Sequence, residues 1–283
     1  PQRTDVVLTV KRGKNFYGTI SVDDSGLEDT GKLQWYTSIG IDQPFHKNDM
    51  LRIGMNLDGA HDGYEKGTRG HNISYTYPYG RHTFSFSYQR SKYHQTVESI
   101  PYNFISAGDS NISMLSWDYV LHRSAAIKTS MDIRLRKRNS HSFLNDVELP
   151  IQAMHQTSME VGFAERLYLQ RDTLYFRLAH RFGLGWLGAQ KEKPYDDAPK
   201  TLYRMWLLDV DFVHPFEFCH RPATFTTSFH GQYTMDDMRL YGVDMISMGN
   251  RYTVRGFDGE ITLMGTNGWY LRNELSTRFP KQK

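Results

Sequence analysis

Apolar and polar side chains alternate with a period of two, and the alternation recurs along the whole 283-residue chain. Over 82–89, Phe84, Phe86 and Tyr88 are interleaved with Thr83, Ser85, Ser87 and Gln89. Over 125–136, Ala125, Ile127, Met131, Ile133 and Leu135 alternate with Lys128, Ser130, Asp132, Arg134 and Arg136. The same rhythm places Leu51, Ile53, Met55 and Leu57 opposite Arg52, Gly54, Asn56 and Asp58. Towards the end it places Trp269, Leu271, Leu275 and Phe279 opposite Tyr270, Arg272, Glu274, Ser276 and Arg278. Successive side chains of a strand point to opposite faces, so each segment predicts a strand with one apolar and one polar face. The fold class is therefore all-β.

Composition narrows what such strands build. The net charge is +3, from 34 basic and 31 acidic residues, too balanced for a dedicated nucleic-acid binder. No run approaches the roughly 18 apolar residues of a transmembrane helix. Cys219 is the only cysteine, which excludes an intrachain disulfide and disfavours a cysteine metal site; it reads as an inert structural thiol. Aromatic residues make up 14%, with 18 Tyr and 16 Phe, as membrane-interface girdles require. Composition alone leaves a soluble sandwich or a propeller open. The polar face favours a barrel, because it carries charges of both signs beside Ser, Thr and Gly, the mixture that lines a water-filled lumen.

Twelve strands are predicted, at 15–24, 31–43, 50–58, 71–78, 82–94, 111–122, 125–138, 153–167, 172–182, 201–215, 223–235 and 267–279. Short Pro/Gly turns at 78–81 and 44–48 alternate with longer polar segments at 59–70, 96–110, 139–151, 183–200 and 237–262. This is the asymmetry of outer-membrane barrels, with short periplasmic turns and long external loops. Twelve strands are enough to close, and a larger barrel cut short fits equally well. The chain opens at Pro1 without a signal segment, so a fragment or processed form is expected. Residues 1–12, with the strand-like run Thr4 to Val10 and a basic linker, are expected to end a preceding soluble domain, and residues 13–283 to form the barrel.

Few motifs point to chemistry. Gly183-Leu184-Gly185-Trp186-Leu187-Gly188 matches G-x-G-x-x-G, but Pro194 and Pro199 follow where a dinucleotide site needs a helix. It reads as a Gly-rich rim after a strand, and no nucleotide or other cofactor is expected. The twelve histidines are scattered and no H-E-x-x-H occurs, so no metal site, catalytic residue or enzymatic activity is expected. His214 and His220 are read as flanking a Pro-containing turn. Asp132, Arg134, Arg136, Arg272 and Glu274 occupy the polar phase and are expected to face the lumen, as solvated cross-strand ion pairs or as a docking surface within it.

One loop stands apart. Asn250-Arg251-Tyr252-Thr253-Val254-Arg255-Gly256-Phe257-Asp258-Gly259 places apolar side chains in a polar connection, where they prefer burial. Val254-Arg255-Gly256-Phe257 resembles the Val-Arg-Gly-Phe/Tyr signature of the outer-membrane assembly-factor superfamily. Within it, the chain looks most like the TpsB transporters of two-partner secretion, the hemolysin-activation and adhesin-secretion type. Val22-Asp23-Asp24-Ser25-Gly26, followed by Thr30-Gly31-Lys32, resembles that family's first hairpin. Asp5 to Val10 resembles the end of its second POTRA domain.

The resemblance implies a sixteen-stranded parent barrel whose signature loop joins strands eleven and twelve and folds back into the lumen. Its Arg, here Arg255, would contact an acidic residue on a later strand, beyond this sequence. Gly256 is expected to turn the backbone with positive φ, and Phe257 to anchor the tip by burial. The implied function is export of a large partner exoprotein (hemolysin, adhesin or contact-dependent toxin) across the bacterial outer membrane without nucleotide, with membrane lipid outside. A passive porin and a barrel-assembly insertase are the alternatives. A chain without the POTRA pair, plug helix and last strands is not expected to transport alone.

Overall fold

The computed structural model describes residues 13–24, 26, 30–59, 66–192, 194, 198–218, 221–250, 252–254, 256–257 and 262–277. Twelve antiparallel strands form one meander in which each pairs with its sequence neighbours. They are β1 (Phe16–Asp23), β2 (Gln34–Asp42), β3 (Met50–Asp58), β4 (Lys66–Tyr79), β5 (His82–Val97), β6 (Phe104–Arg123), β7 (Ile127–Leu144), β8 (Met154–Leu169), β9 (Asp172–Leu184), β10 (Arg204–Phe218), β11 (Arg221–Thr234) and β12 (Gly268–Thr277). Among the described residues, β1 pairs with β2 and β12 with β11, so each end of the sheet has one neighbour. A two-residue strand, Val147–Glu148, adds to the end of β7, and a short hairpin of Ile246–Met248 and Leu263–Gly265 lies between β11 and β12.

The two faces are inverted relative to a soluble sheet. Apolar residues of the outward phase are exposed, with Leu115 at 56%, Trp269 at 64% and Leu275 at 67%. On the opposite face Asp132 is 5% exposed, Arg177 4% and Glu160 3%. A sandwich would bury the first set and hydrate the second. A wall with lipid outside and polar groups inside does the reverse, so the sheet is the wall of a transmembrane β-barrel.

Aromatic side chains mark both edges of the apolar band. Near the short turns, Trp117 packs with Tyr119 and His82 and donates from Nε1 to His82 Nδ1 at 3.0 Å. Towards the other end Trp206 contacts His180, and Trp269 stacks with Phe229. Such rings hold an apolar body in lipid and a polar edge at the interface.

The predicted strands coincide with the observed ones, while some predicted connections are shorter. β6 and β7 run on through 104–110 and 139–144, and β4 begins at Lys66, all within segments expected as loops. In these extensions polar and apolar residues fall on both phases, as with Phe104 beside Ile105 and Phe143 beside Leu144, which hides the period. Outside lipid polarity does not oppose pairing, and Ser140 Oγ donates to Ser110 Oγ at 3.1 Å across the ladder. His214 and Pro215 lie within β10 rather than at a turn, and His214 Nδ1 is 2.6 Å from Asp172 Oδ1. Cys219, His220 and residues 1–12 lie outside the described residues.

Candidate functional site

Strands β7 to β12 carry the most charged part of the inner face. Register assembles it. Asp132 of β7 lies beside Gly162 of β8, which lies beside Ala179 of β9. The two small residues leave room for the long side chain of Arg177, also on the inner phase of β9. A Cβ on Gly162 would sit 2.6 Å from Asp132 Oδ1 and 2.7 Å from Arg177 Nη2, so this glycine is required by a close approach. Arg177 donates from Nε to Asp132 Oδ1 at 2.9 Å and from Nη2 to Oδ2 at 2.6 Å, the bidentate geometry that a guanidinium fork allows. Its Nη2 also donates to Glu160 Oε1 at 2.5 Å.

The network extends on both sides. Arg181 donates to Glu160 Oε2 at 2.7 Å, and Arg134 lies 3.3 Å from Asp132 and 3.5 Å from Glu160. On β10 and β11, Asp209 is 3.8 Å from Arg177 Nη1, and its other oxygen is 2.6 Å from His230 Nδ1. Within this network the buried Asp132, Glu160 and Arg177 each meet an opposite charge through a hydrogen bond, the condition under which burial of ions is tolerated.

A second assembly anchors the connection between β11 and β12. Leu240 is 1% exposed and joins Ala179, Tyr203, Met205 and Leu207 in a small core on the inner face, with Met238 and Met245 against it. Beside it Asp244 accepts a hydrogen bond from Tyr203 Oη at 3.0 Å and one from Gln156 Nε2 at 2.7 Å. The Asp244 carbonyl accepts from Gln232 Nε2 at 2.9 Å. Arg138 reaches the Val243 carbonyl at 3.4 Å, and Arg272 donates to the Tyr252 carbonyl at 3.1 Å. The connection is thus fastened to β7, β8, β11 and β12 on the inner side of the wall.

Asp132, Arg134 and Arg136 share the inner phase of β7, and Asp132 and Arg134 enter the ion network. Arg272 and Glu274 share the inner phase of β12 and pair with each other at 3.1 Å along the strand, rather than across strands. Arg255 lies outside the described residues.

Its neighbours differ from expectation. Phe257 is 57% exposed and Val254 38%, so within this chain the tip finds no burial. A Cβ on Gly256 would meet no atom within 4 Å and its backbone is not left-handed; the positive φ, 110°, is at Gly249 where the tip begins. The loop is held at its root, where Leu240 and Asp244 find a core and hydrogen-bond partners. Glu160, Arg177, Arg181 and Asp244 were missed in the sequence. For the first three a cue existed, since each stands in the polar phase of its strand; nothing local distinguishes Asp244 from an ordinary loop aspartate.

The family model described as haemolysin secretion/activation protein ShlB/FhaC/HecB matches residues 2–283. The chain belongs to this family. Outer membrane transporter CdiB-2 of Burkholderia pseudomallei (strain 1026b) is 36% identical over 276 residues, 97% of this chain and 47% of the relative. Hemolysin transporter protein HpmB of Proteus mirabilis is 26% identical over 96% of this chain and 48% of its own length. Two solved structures agree in fold. CdiB from Escherichia coli matches with TM-score 0.91 at 26% identity, over 97% of this chain and 50% of that one. CdiB from Acinetobacter baumannii matches with TM-score 0.80 at 32% identity, over 94% and 47%. The chain spans about half the length of the curated relatives it matches.

Proposed function

We propose that this chain is the greater part of the barrel wall of an outer-membrane pore that secretes a large partner exoprotein, a hemolysin, adhesin or contact-dependent toxin, by two-partner secretion. The observation that carries the reading is the charge-lined inner face with the β11–β12 connection fastened onto it. A passive hydrophilic channel needs polar walls but no large connection bound inside. In this reading residues 1–12 end a periplasmic POTRA domain, the outward apolar face meets outer-membrane lipid, and Val254, Arg255, Gly256 and Phe257 are the lumenal signature. Asp132, Arg134, Arg136, Arg272 and Glu274 line the path. The pore uses no nucleotide, no nucleic acid and no catalytic residue; the substrate threads the polar lumen unfolded and folds outside.

Arg255 tests this reading. In the full-length protein, Arg255→Ala is expected to reduce the exoprotein in the medium severely, and Arg255→Lys partially, because lysine keeps the charge and loses the fork. Secretion is normalised to heat-modifiable barrel in the membrane. Unchanged secretion by Arg255→Ala would refute the proposed role of the loop and favour a passive channel.

A further inference from the structure

The outward face of β4 to β8 changes character row by row. Two cross-strand rows are apolar: Tyr77, Phe84, Trp117, Ile133 and Val161 in one, and Tyr75, Phe86, Leu115, Leu135 and Met159 in the next. One row further from the short turns, Ile73 and Tyr88 adjoin Ser113 and Lys137. The two rows beyond place His71 beside Arg90, then Arg69 beside Lys92, and Lys92 beside Asp109. No bulge interrupts β4 or β5, so these cations share the phase of the lipid-facing rings. Counted from the two-residue turn, Arg90 and Lys92 lie where a span of roughly 9–11 residues ends. That end carries the long connections and is the external one.

The outward phase selects the occupant. Along these rows the cations Arg69, Arg90, Lys92 and Lys137 stand with one outward-phase carboxylate, Asp109, while Asp58 and Asp146 lie at the groove beside Lys66. Asp109 holds Arg90 at 2.6 Å and Lys92 at 2.9 Å, keeping both head groups in place. Arg69 is exposed and has no ion-pair partner among the described residues. A groove of about 740 Å³ opens beside them, with Lys66, Arg69, Lys92 and His94 and the carboxylates Asp58, Asp109 and Asp146 on its polar side and Leu57, Ile105 and Phe143 on its apolar side. Gly67 keeps it open, because a Cβ there would lie 2.6 Å from His94 Cε1. The phosphates of an amphiphile whose chains lie along Phe86 and Leu115 would reach this height. Guanidinium and ammonium groups bind phosphate by charge-assisted hydrogen bonds.

We infer that Arg69 and Lys92, steadied by Asp109, form a binding site on the outer wall for the phosphorylated headgroup of an outer-leaflet lipid. The inference rests on the membrane placement in the proposed function. That placement is tested separately by cysteine labelling at Phe84, so its failure and that of the lipid site are distinguishable.

The test uses the full-length protein in phosphatidylcholine vesicles, titrated with lipid A carrying both phosphates, with dephosphorylated lipid A, or with inorganic phosphate. Binding is read as the shift in unfolding temperature and as lipid retained in native mass spectrometry. The phosphorylated lipid is expected to bind, and the other two are not. The double variant Arg69→Gln/Lys92→Gln should weaken that binding on the order of tenfold or more, with unfolding in plain vesicles unchanged. Arg69→Gln alone, which removes no ion pair, should show a smaller loss and serves if the double variant fails to fold. Equal binding of dephosphorylated lipid A, equivalent stabilisation by inorganic phosphate, or unchanged affinity in Arg69→Gln would overturn the inference.

Discussion

Replacing Arg177 by methionine tests whether the inner wall is held by charge or merely tolerates it. Arg177 is 4% exposed and donates three charge-assisted hydrogen bonds, two to Asp132 and one to Glu160. At about 1.5–3 kcal/mol each, three such bonds would total about 4.5–9 kcal/mol. That overstates the loss, because Asp132 retains Arg134 at 3.3 Å and Glu160 retains Arg181 at 2.7 Å. Breaking a buried ion pair from one side costs about 3–5 kcal/mol, most of it the stranded charge, and this is the expected destabilisation. The double variant Asp132→Asn/Arg177→Met removes that stranded charge and should be more stable than Arg177→Met alone by about 2 kcal/mol. The assay is denaturant unfolding of the full-length protein in lipid vesicles, followed by tryptophan fluorescence and by band shift on unheated gels. A loss below about 1 kcal/mol for the single change, or strict additivity in the double variant, would refute the reasoning.

Asp244→Ala should strand the Tyr203 hydroxyl and the Gln156 amide in a buried site at about 1–3 kcal/mol each; we expect new protease cleavage within 245–262 of the still-folded barrel, and an unchanged digestion pattern would count against the root anchor. Asp49, in the turn between β2 and β3, is pushed up by burial but held below the usual carboxylate range by the amides of Lys47 and Phe45 and the Tyr75 hydroxyl. A depressed carboxylate stabilises the fold above its unfolded value and ceases to do so as pH falls through the folded one. Stability of the full-length protein should therefore drop below about pH 3.8, by less in Asp49→Asn; an identical acid profile in both would exclude the turn as a contributor. Cysteines introduced at Phe84 and Leu271 should resist a membrane-impermeant reagent while those at Ser85 and Glu274 react, and the reverse order would dismiss the assigned faces.

The wall was legible from residues alone because a strand's period of two ties each side chain to one face, and lipid demands an apolar face without interruption. Hence Phe84, Phe86 and Leu271 disclosed both the strands and their orientation. The extensions of β6 and β7 were not legible, since beyond the membrane both faces are wet and polarity carries no phase. Nor could periodicity say which charges meet. Arg177 finds Asp132 and Glu160 only because the register sets Gly162 and Ala179 beside them, and register depends on strands that are distant in sequence. The same holds for the loop. Its tip advertised itself through Val254 and Phe257, yet it is fastened at Leu240 and Asp244, whose partners Tyr203 and Gln156 are brought to them by the folded wall. Local pattern determines which side of a strand faces water, because that choice is made residue by residue; contacts across the lumen are made between strands, and only the tertiary structure decides them.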